Sequence, residues 1–153
     1  MKRIIAVRVR GTVKMRKDIN DTLAMLNLTK PHHAAVIDDR PSYKGMLEKA
    51  KDYITYGEIE QSVLEALIGK WARREGNKRI SEEYVKEKTG QTIPQFAESV
   101  MKFEKELDQL EIKNLFRLHP PRKGHKDIKR AFSQGGSLGY RGEFINDLVR
   151  RMI

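Results

Sequence analysis

The stretch from Leu28 to Ile59 limits the fold more than any other part of the chain, because it passes in quick succession from turn to strand, turn, helix and strand. Thr29-Lys30-Pro31 breaks whatever precedes it, and His33 to Ile37 is a short, mostly apolar run in which Val36 and Ile37 favour extended backbone. Asp38-Asp39-Arg40-Pro41 is a turn, since Pro41 imposes extended geometry on Arg40 and can itself open a helix. In that helix Tyr43, Met46, Leu47 and Ala50 fall at i, i+3, i+4 and i+7, one apolar stripe that leaves Lys44, Lys49 and Lys51 in water. Asp52 to Ile59 then alternates, with Tyr53 and Thr55 on one face and Ile54 and Tyr56 on the other, until Gly57 interrupts it. The stretch is a compact β-α-β unit with basic residues on its turns.

A strand and a helix precede it. Arg3 to Val9 places Ile5, Val7 and Val9 on one face and Ile4, Ala6 and Arg8 on the other, and Asp18 caps a helix carrying Ile19, Leu23 and Leu26. Strands this short are unstable alone, so the expected fold is α+β: a β-α-β-α-β core over residues 1–59, with both helices on one face of a three-stranded sheet. Periodicity leaves the other face open. Residues 60–116 read as a helical insertion. Val63, Leu64, Leu67, Ile68 and Trp71 mark a helix closed by Arg73-Arg74-Glu75-Gly76, and Ser81 caps a short helix that Gly90 ends. Thr92-Ile93-Pro94-Gln95 is a capping box with proline in the first turn. Phe96, Val100, Phe103, Leu107 and Leu110 then recur at 4, 3, 4, 3, which predicts one long helix whose stripe is core, or alternatively a docking face for a protein partner. Residues 117–153 form a basic, Gly- and Pro-containing arm, which Phe144, Ile145, Leu148, Val149 and Met152 tie back through a final helix. The three parts are expected to make one structural unit.

Charge points to the partner. Thirty-one Lys and Arg against 21 Asp and Glu give a formal charge of +10, and a polyanion is the natural ligand of such a surface. The excess is concentrated: Met1–Asn20 and Arg117–Arg141 each hold seven bases and one acid, whereas Ile80–Phe116 holds eight acids and five bases. The acidic insertion is therefore expected to face away from the ligand. With no cysteine there is no disulfide framework, thiolate nucleophile or Cys-based zinc site. Ile4–Val7 after Met1-Lys2-Arg3 is too short for a secretory core or a membrane span, so a cytoplasmic protein is expected.

Candidate contacts follow from those segments. Arg8, Arg10, Lys14, Arg16 and Lys17 surround Gly11 in a loop able to bring backbone close to phosphate, and each phosphate neutralised releases condensed counterions. Arg40, Tyr43 and Lys44 at a helix start add a second patch. In His119-Pro120-Pro121-Arg122-Lys123-Gly124-His125 two prolines fix an extended path suited to a groove, a surface linker being the plain alternative. Gly135-Gly136-Ser137-Leu138-Gly139-Tyr140-Arg141-Gly142 lacks the spacing and lysine of a phosphate-binding nucleotide loop. Its glycines suit close approach to an RNA phosphate or a tight turn, with Tyr140 stacking on a base or packing internally, and Arg141 pairing with phosphate. His32-His33 and Asp38-Asp39 do not form a metal site, because adjacent strand residues point to opposite faces and a strand's length separates the pairs. No HExxH is present. The enzymatic alternative is an RNA-processing protein holding a divalent ion at Asp38, Asp39 and Glu48.

HHAAVIDDRPSYKGMLEKAKDYITYGEI resembles the core of the universal large-subunit ribosomal protein thirty family in its longer archaeal and eukaryotic form. Arg8-Val9-Arg10-Gly11, Leu118-His119-Pro120-Pro121-Arg122-Lys123-Gly124, the glycine-rich segment and the closing helix also fit, in this order and over nearly the whole length. The resemblance is thinnest from Glu75 to Gly90. It implies a largely antiparallel sheet in a truncated ferredoxin-like fold, no reaction and no cofactor. It also implies large-subunit rRNA as partner, with the 5S rRNA region and other ribosomal proteins nearby. Arm contacts expected on this basis are Arg117, His119, Arg122, Lys123, His125, Lys129, Arg130, Tyr140 and Arg141.

Overall fold

Alternating side chains on the first strand divide the interior into two cores. In the computed structural model, which describes residues 2–153, Arg3–Arg8 (β1) buries all six of its residues. It lies antiparallel between His33–Asp38 (β2) and Ile54–Glu58 (β3). Ile4 and Ala6 join Ala35, Ile37 and Ile54 under Lys17–Met25 (α1) and Pro41–Lys49 (α2), whose Leu23 and Leu47 are buried there. This half agrees with the helices-on-one-face layout expected of the core.

The opposite face, left open by periodicity, is covered as well. Ile5, Val7, Ala34 and Val36 pack against Gln61–Trp71 (α3), Ile93–Met101 (α5) and Ile145–Met152 (α6). Each large aliphatic side chain on that face would forfeit about 1.5–3 kcal/mol if left in water, so the insertion is what makes a two-sided sheet stable. Glu82–Thr89 (α4), capped by Ser81 and closed by left-handed Gly90, completes this layer.

The arm borders the sheet on both sides. Phe116–Arg117 (β6) pairs antiparallel with β2, and Gly139–Tyr140 (β7) pairs parallel with β3, giving the order β6-β2-β1-β3-β7. Two short strands thus occupy edges that would otherwise present unpaired backbone. Gly57 lies within β3 rather than ending it: a Cβ there would sit 2.0 Å from the Gly142 carbonyl oxygen, so the residue is glycine because backbone presses on backbone.

The 4, 3, 4, 3 stripe is core, but not one helix. α5 stops at Met101, Phe103 adopts φ 62°, and Leu107–Leu110 is a separate 3₁₀ turn. Arg3 accounts for the break. Its guanidinium donates to the Val100 carbonyl (2.9 Å), pairs with Glu106 (3.1 Å) and lies 4.0 Å over the Phe103 ring, so the helix end is satisfied by β1 instead of by another turn. Phe96, Val100, Leu107 and Leu110 are buried and Phe103 is half-buried under Arg3, so the stripe faces the interior instead of forming a docking face. Beyond α3, Arg73–Arg74 (β4) and Lys78–Arg79 (β5) form a two-stranded ribbon where the sequence suggested only a helix end. Among the described residues no helix is long and apolar enough to cross a membrane.

Candidate nucleic-acid interface

Strand registers bring both basic loops to the same end of the sheet. β1 ends at Arg8, which pairs with Ile54 at the start of β3, while Val7 pairs with Ala34 at the start of β2. The loop carrying Arg10, Gly11, Lys14, Arg16 and Lys17 therefore leaves from this end. β6 runs antiparallel to β2 with Arg117 opposite His33, so His119 and Arg122 follow at the same end. β7 runs parallel to β3, so the Lys123–Leu138 segment that enters it arrives there too. Two contacts fasten the loops together: the His32 N–H donates to the Arg8 carbonyl (2.8 Å), and the His32 and His125 rings stack at 5.9 Å.

The exposed cations of this end include Lys14, Arg16, Lys17, Arg117, Arg122, Lys123, Lys126, Lys129 and Arg130, with Arg10 half-buried over the Tyr53 ring (5.2 Å). Arg16 pairs with Asp18 (3.0 Å) and Arg130 with Asp127 (3.4 Å), but exposed pairs of this kind are worth only about 0–1 kcal/mol and exchange readily for phosphate. His119 is exposed and edge-on to Trp71 at 4.7 Å.

Three predicted contacts turn inward. Arg8 is 0% exposed: its Nε donates to the Arg10 carbonyl and its Nη1 to that of Leu28, both at 2.9 Å, so it braces the loop from beneath and has no face for phosphate. Arg141 is buried and donates to Thr55 Oγ1 and the Ser137 carbonyl, both at 2.7 Å. Burial pushes it down to about 10, still charged at neutral pH. His125 is half-buried, and burial, followed by His32, Arg141 and Arg151, pushes it down to about 4, so it is a neutral ring at pH 7. The glycines of this region serve chain packing too: a Cβ on Gly136 would lie 2.1 Å from the Arg130 carbonyl oxygen.

Tyr140 is 54% exposed, with its ring tilted against that of Tyr56 at 5.7 Å; its hydroxyl reaches toward the far end of β3 and donates to both carboxylate oxygens of Glu58 (2.6 and 2.9 Å), and it is pushed up to about 12 chiefly by that bond. The other predicted patch lies at the opposite end, since Asp38 pairs with Arg3. There Arg40 forks onto the Asp38 carboxylate (2.6–3.0 Å) and lies 5.1 Å over Tyr43, leaving Lys44 as the uncommitted exposed cation of the three. Arg40 holds the Asp38 carboxyl below its ordinary range, and Glu48 is engaged by Lys51 at 3.1 Å. Among the described residues no three His, Cys, Asp or Glu side chains are grouped to hold a metal.

Sequence reasoning missed one group. The β4–β5 ribbon follows α3 back to the basic end, where Arg73, Arg74 and Lys113 gather around Trp71 and Arg117. Arg73 is lowered by burial and then by Arg79 and Arg117, a sign of how closely these cations crowd. The insertion is thus acidic along its helices but basic at its tip. Gly76-Asn77 between two basic pairs was the available signal, as a hairpin turn with positive φ at both positions.

The model of the family described as ribosomal protein L30p/L7e matches residues 4–54. The large ribosomal subunit protein uL30 of Methanobrevibacter smithii is 49% identical over 150 residues, covering 97% of this chain and 99% of the relative. The chain belongs to the L30p/L7e family. Two further uL30 proteins agree: that of Methanococcus maripaludis is 50% identical over 149 residues (96% of this chain, 97% of the relative), and that of Archaeoglobus fulgidus 49% over 148 (95% and 97%). The family match ends at Ile54, within the β-α-β-α-β core, yet the full-length relatives extend through the insertion and the arm. The ribbon and both edge strands therefore lie inside the stretch shared with these archaeal relatives.

Proposed function

We propose that the protein is a structural component of the large ribosomal subunit, cytoplasmic with the ribosome, which binds folded rRNA and stabilises its tertiary arrangement. The observation that carries this is the convergence on one end of the sheet of the loop holding Arg10, Lys14, Arg16 and Lys17 and the arm segment holding Arg117, Arg122, Lys123, Lys126, Lys129 and Arg130. In this arrangement residues 1–59 and 117–153 supply most of the contacts, residues 60–116 together with α6 buttress the second sheet face, and the basic tip of the insertion reaches the same end. Lys14, Arg16, Lys17, Arg117, Arg122, Lys123, Lys129 and Arg130 take phosphates, Arg10 and His119 lie between them, and Tyr140 offers a ring. Arg8, His125 and Arg141 hold the loops in place. Arg40, Tyr43 and Lys44 form a separate anchor at the far end, suited to a second RNA segment or a neighbouring ribosomal protein. The 5S rRNA region is a further partner within this proposal.

The test is affinity for large-subunit rRNA as a function of salt. With about five or more phosphates neutralised, log affinity should fall against log salt with a slope of about −4 or steeper. A flat response would remove the proposal.

A further inference from the structure

A cavity of about 150 Å³ opens between the end of α3, the β4–β5 ribbon and the segment entering β6. Trp71, Arg73, Arg74, Lys113 and Arg117 wall it, with Asn77 and Leu115, so four cations and no carboxylate face the space. Among the described residues none of these cations has an ion-pair partner. Two wall N–H groups, Trp71 Nε1 and Arg74 Nε, are buried without a hydrogen-bond acceptor. Arg73, by contrast, is positioned by its own bonds to the Lys70 and Ala72 carbonyls (2.9 and 3.1 Å). Crowded cations and unanswered N–H dipoles make the cavity strongly electropositive, and an acceptor-rich, anionic occupant would relieve both.

Size and shape narrow the occupant. The cavity is well below the ~300–1,000 Å³ of ordinary small-molecule pockets, which fits one planar ring rather than a whole cofactor. The Arg73 guanidinium and the Lys70 ammonium lie 5.7 and 5.9 Å from the indole centre, so a base stacks on the ring in exchange for one of these cations, which is then free to turn to phosphate. Arg117 and the Trp71–His119 contact make the site continuous with the basic end of the sheet. We propose that this cavity receives one unpaired nucleotide of the bound RNA, its base against Trp71 and its phosphate against Arg73 and Arg117. The proposal rests on the RNA-binding function above. An acidic protein tail would satisfy the charge but make no use of the ring.

Trp71 is the only tryptophan in the chain, so its emission reports on this cavity alone. The full-length protein is titrated with a single-stranded oligoadenylate, with inorganic phosphate, with a glutamate-rich peptide and with large-subunit rRNA. Saturable quenching by oligoadenylate and by rRNA is expected, with phosphate and the peptide leaving the emission in place. Trp71→Leu should weaken labelled oligoadenylate by at least about fivefold, the loss of one stacked base, and Lys113→Gln should raise the quenching midpoint. Undisturbed Trp71 emission while rRNA binds with a steep salt slope would overturn the cavity assignment and leave the general function standing. Equal quenching by the peptide would also overturn it. Failure of rRNA to bind at all would instead remove the function on which it rests.

Discussion

Arg8→Met separates a brace from a phosphate ligand. In the wild-type protein the guanidinium is fully buried and gives two charge-assisted hydrogen bonds, to the carbonyls of Arg10 and Leu28, with Met15 Sδ 4.0 Å away. Bonds from a charged donor contribute about 1.5–3 kcal/mol each. Methionine fills most of the volume but leaves both carbonyls unpaired, while the cost of desolvating a guanidinium disappears and offsets part of the loss. A net destabilisation of about 2–4 kcal/mol is expected. At roughly 2–4 °C per kcal/mol for a domain of this size, Tm should fall by about 5–15 °C. Thermal unfolding followed by circular dichroism measures it, and the salt slope for rRNA, taken well below the variant's Tm, should match wild type. An unchanged Tm with a slope shallower by about one charge would refute the reasoning, because that is the signature of an exposed phosphate contact.

Gly57→Ala should cost about 1–3 kcal/mol, since the new Cβ meets the Gly142 carbonyl oxygen and only movement of backbone relieves it; a lower urea midpoint at unchanged m-value checks this. His125 gives a pH dependence of definite sign. Its folded value of about 4, set mainly by burial, lies below the ordinary 6.5. Above pH 6.5 neither state is charged; between 6.5 and 4 the unfolded chain takes up a proton that the folded ring refuses, so stability is lost as pH falls through that window and levels off below 4. Discounted for partial exposure, the loss is about 1–2 kcal/mol, and His125→Gln should flatten that part of a stability-against-pH curve.

Periodicity was sufficient where segments run for five residues or more. β1, β2 and α2 lie where alternation and the i, i+3, i+4, i+7 stripe place them. It was silent on β6 and β7, because two residues have no period, and those strands exist only through partners far away in the chain. It overran at Phe103, where the spacing still fits a helix but Arg3 supplies a tertiary partner that the stripe cannot encode. Among the site residues the misjudgement of Arg8 is instructive: strand parity already set it beside Ile4 and Ala6, on the face that α1 and α2 cover, and that parity carries more information than its charge. Arg10, two residues on and past the strand end, escapes the constraint and reaches the half-exposed loop. Arg141 gave no such warning, since its burial depends on Thr55 and Ser137.

The most direct test of the convergent basic end is lysine acetylation footprinting of the protein, free and bound to large-subunit rRNA, read by mass spectrometry. Lys14, Lys17, Lys123, Lys126 and Lys129 are all exposed in the free protein, as are Lys86 and Lys102 on the insertion. The first five should become protected together, while Lys86 and Lys102 keep their reactivity. Protection of Lys86 and Lys102, with the loop lysines still reactive, would contradict the account.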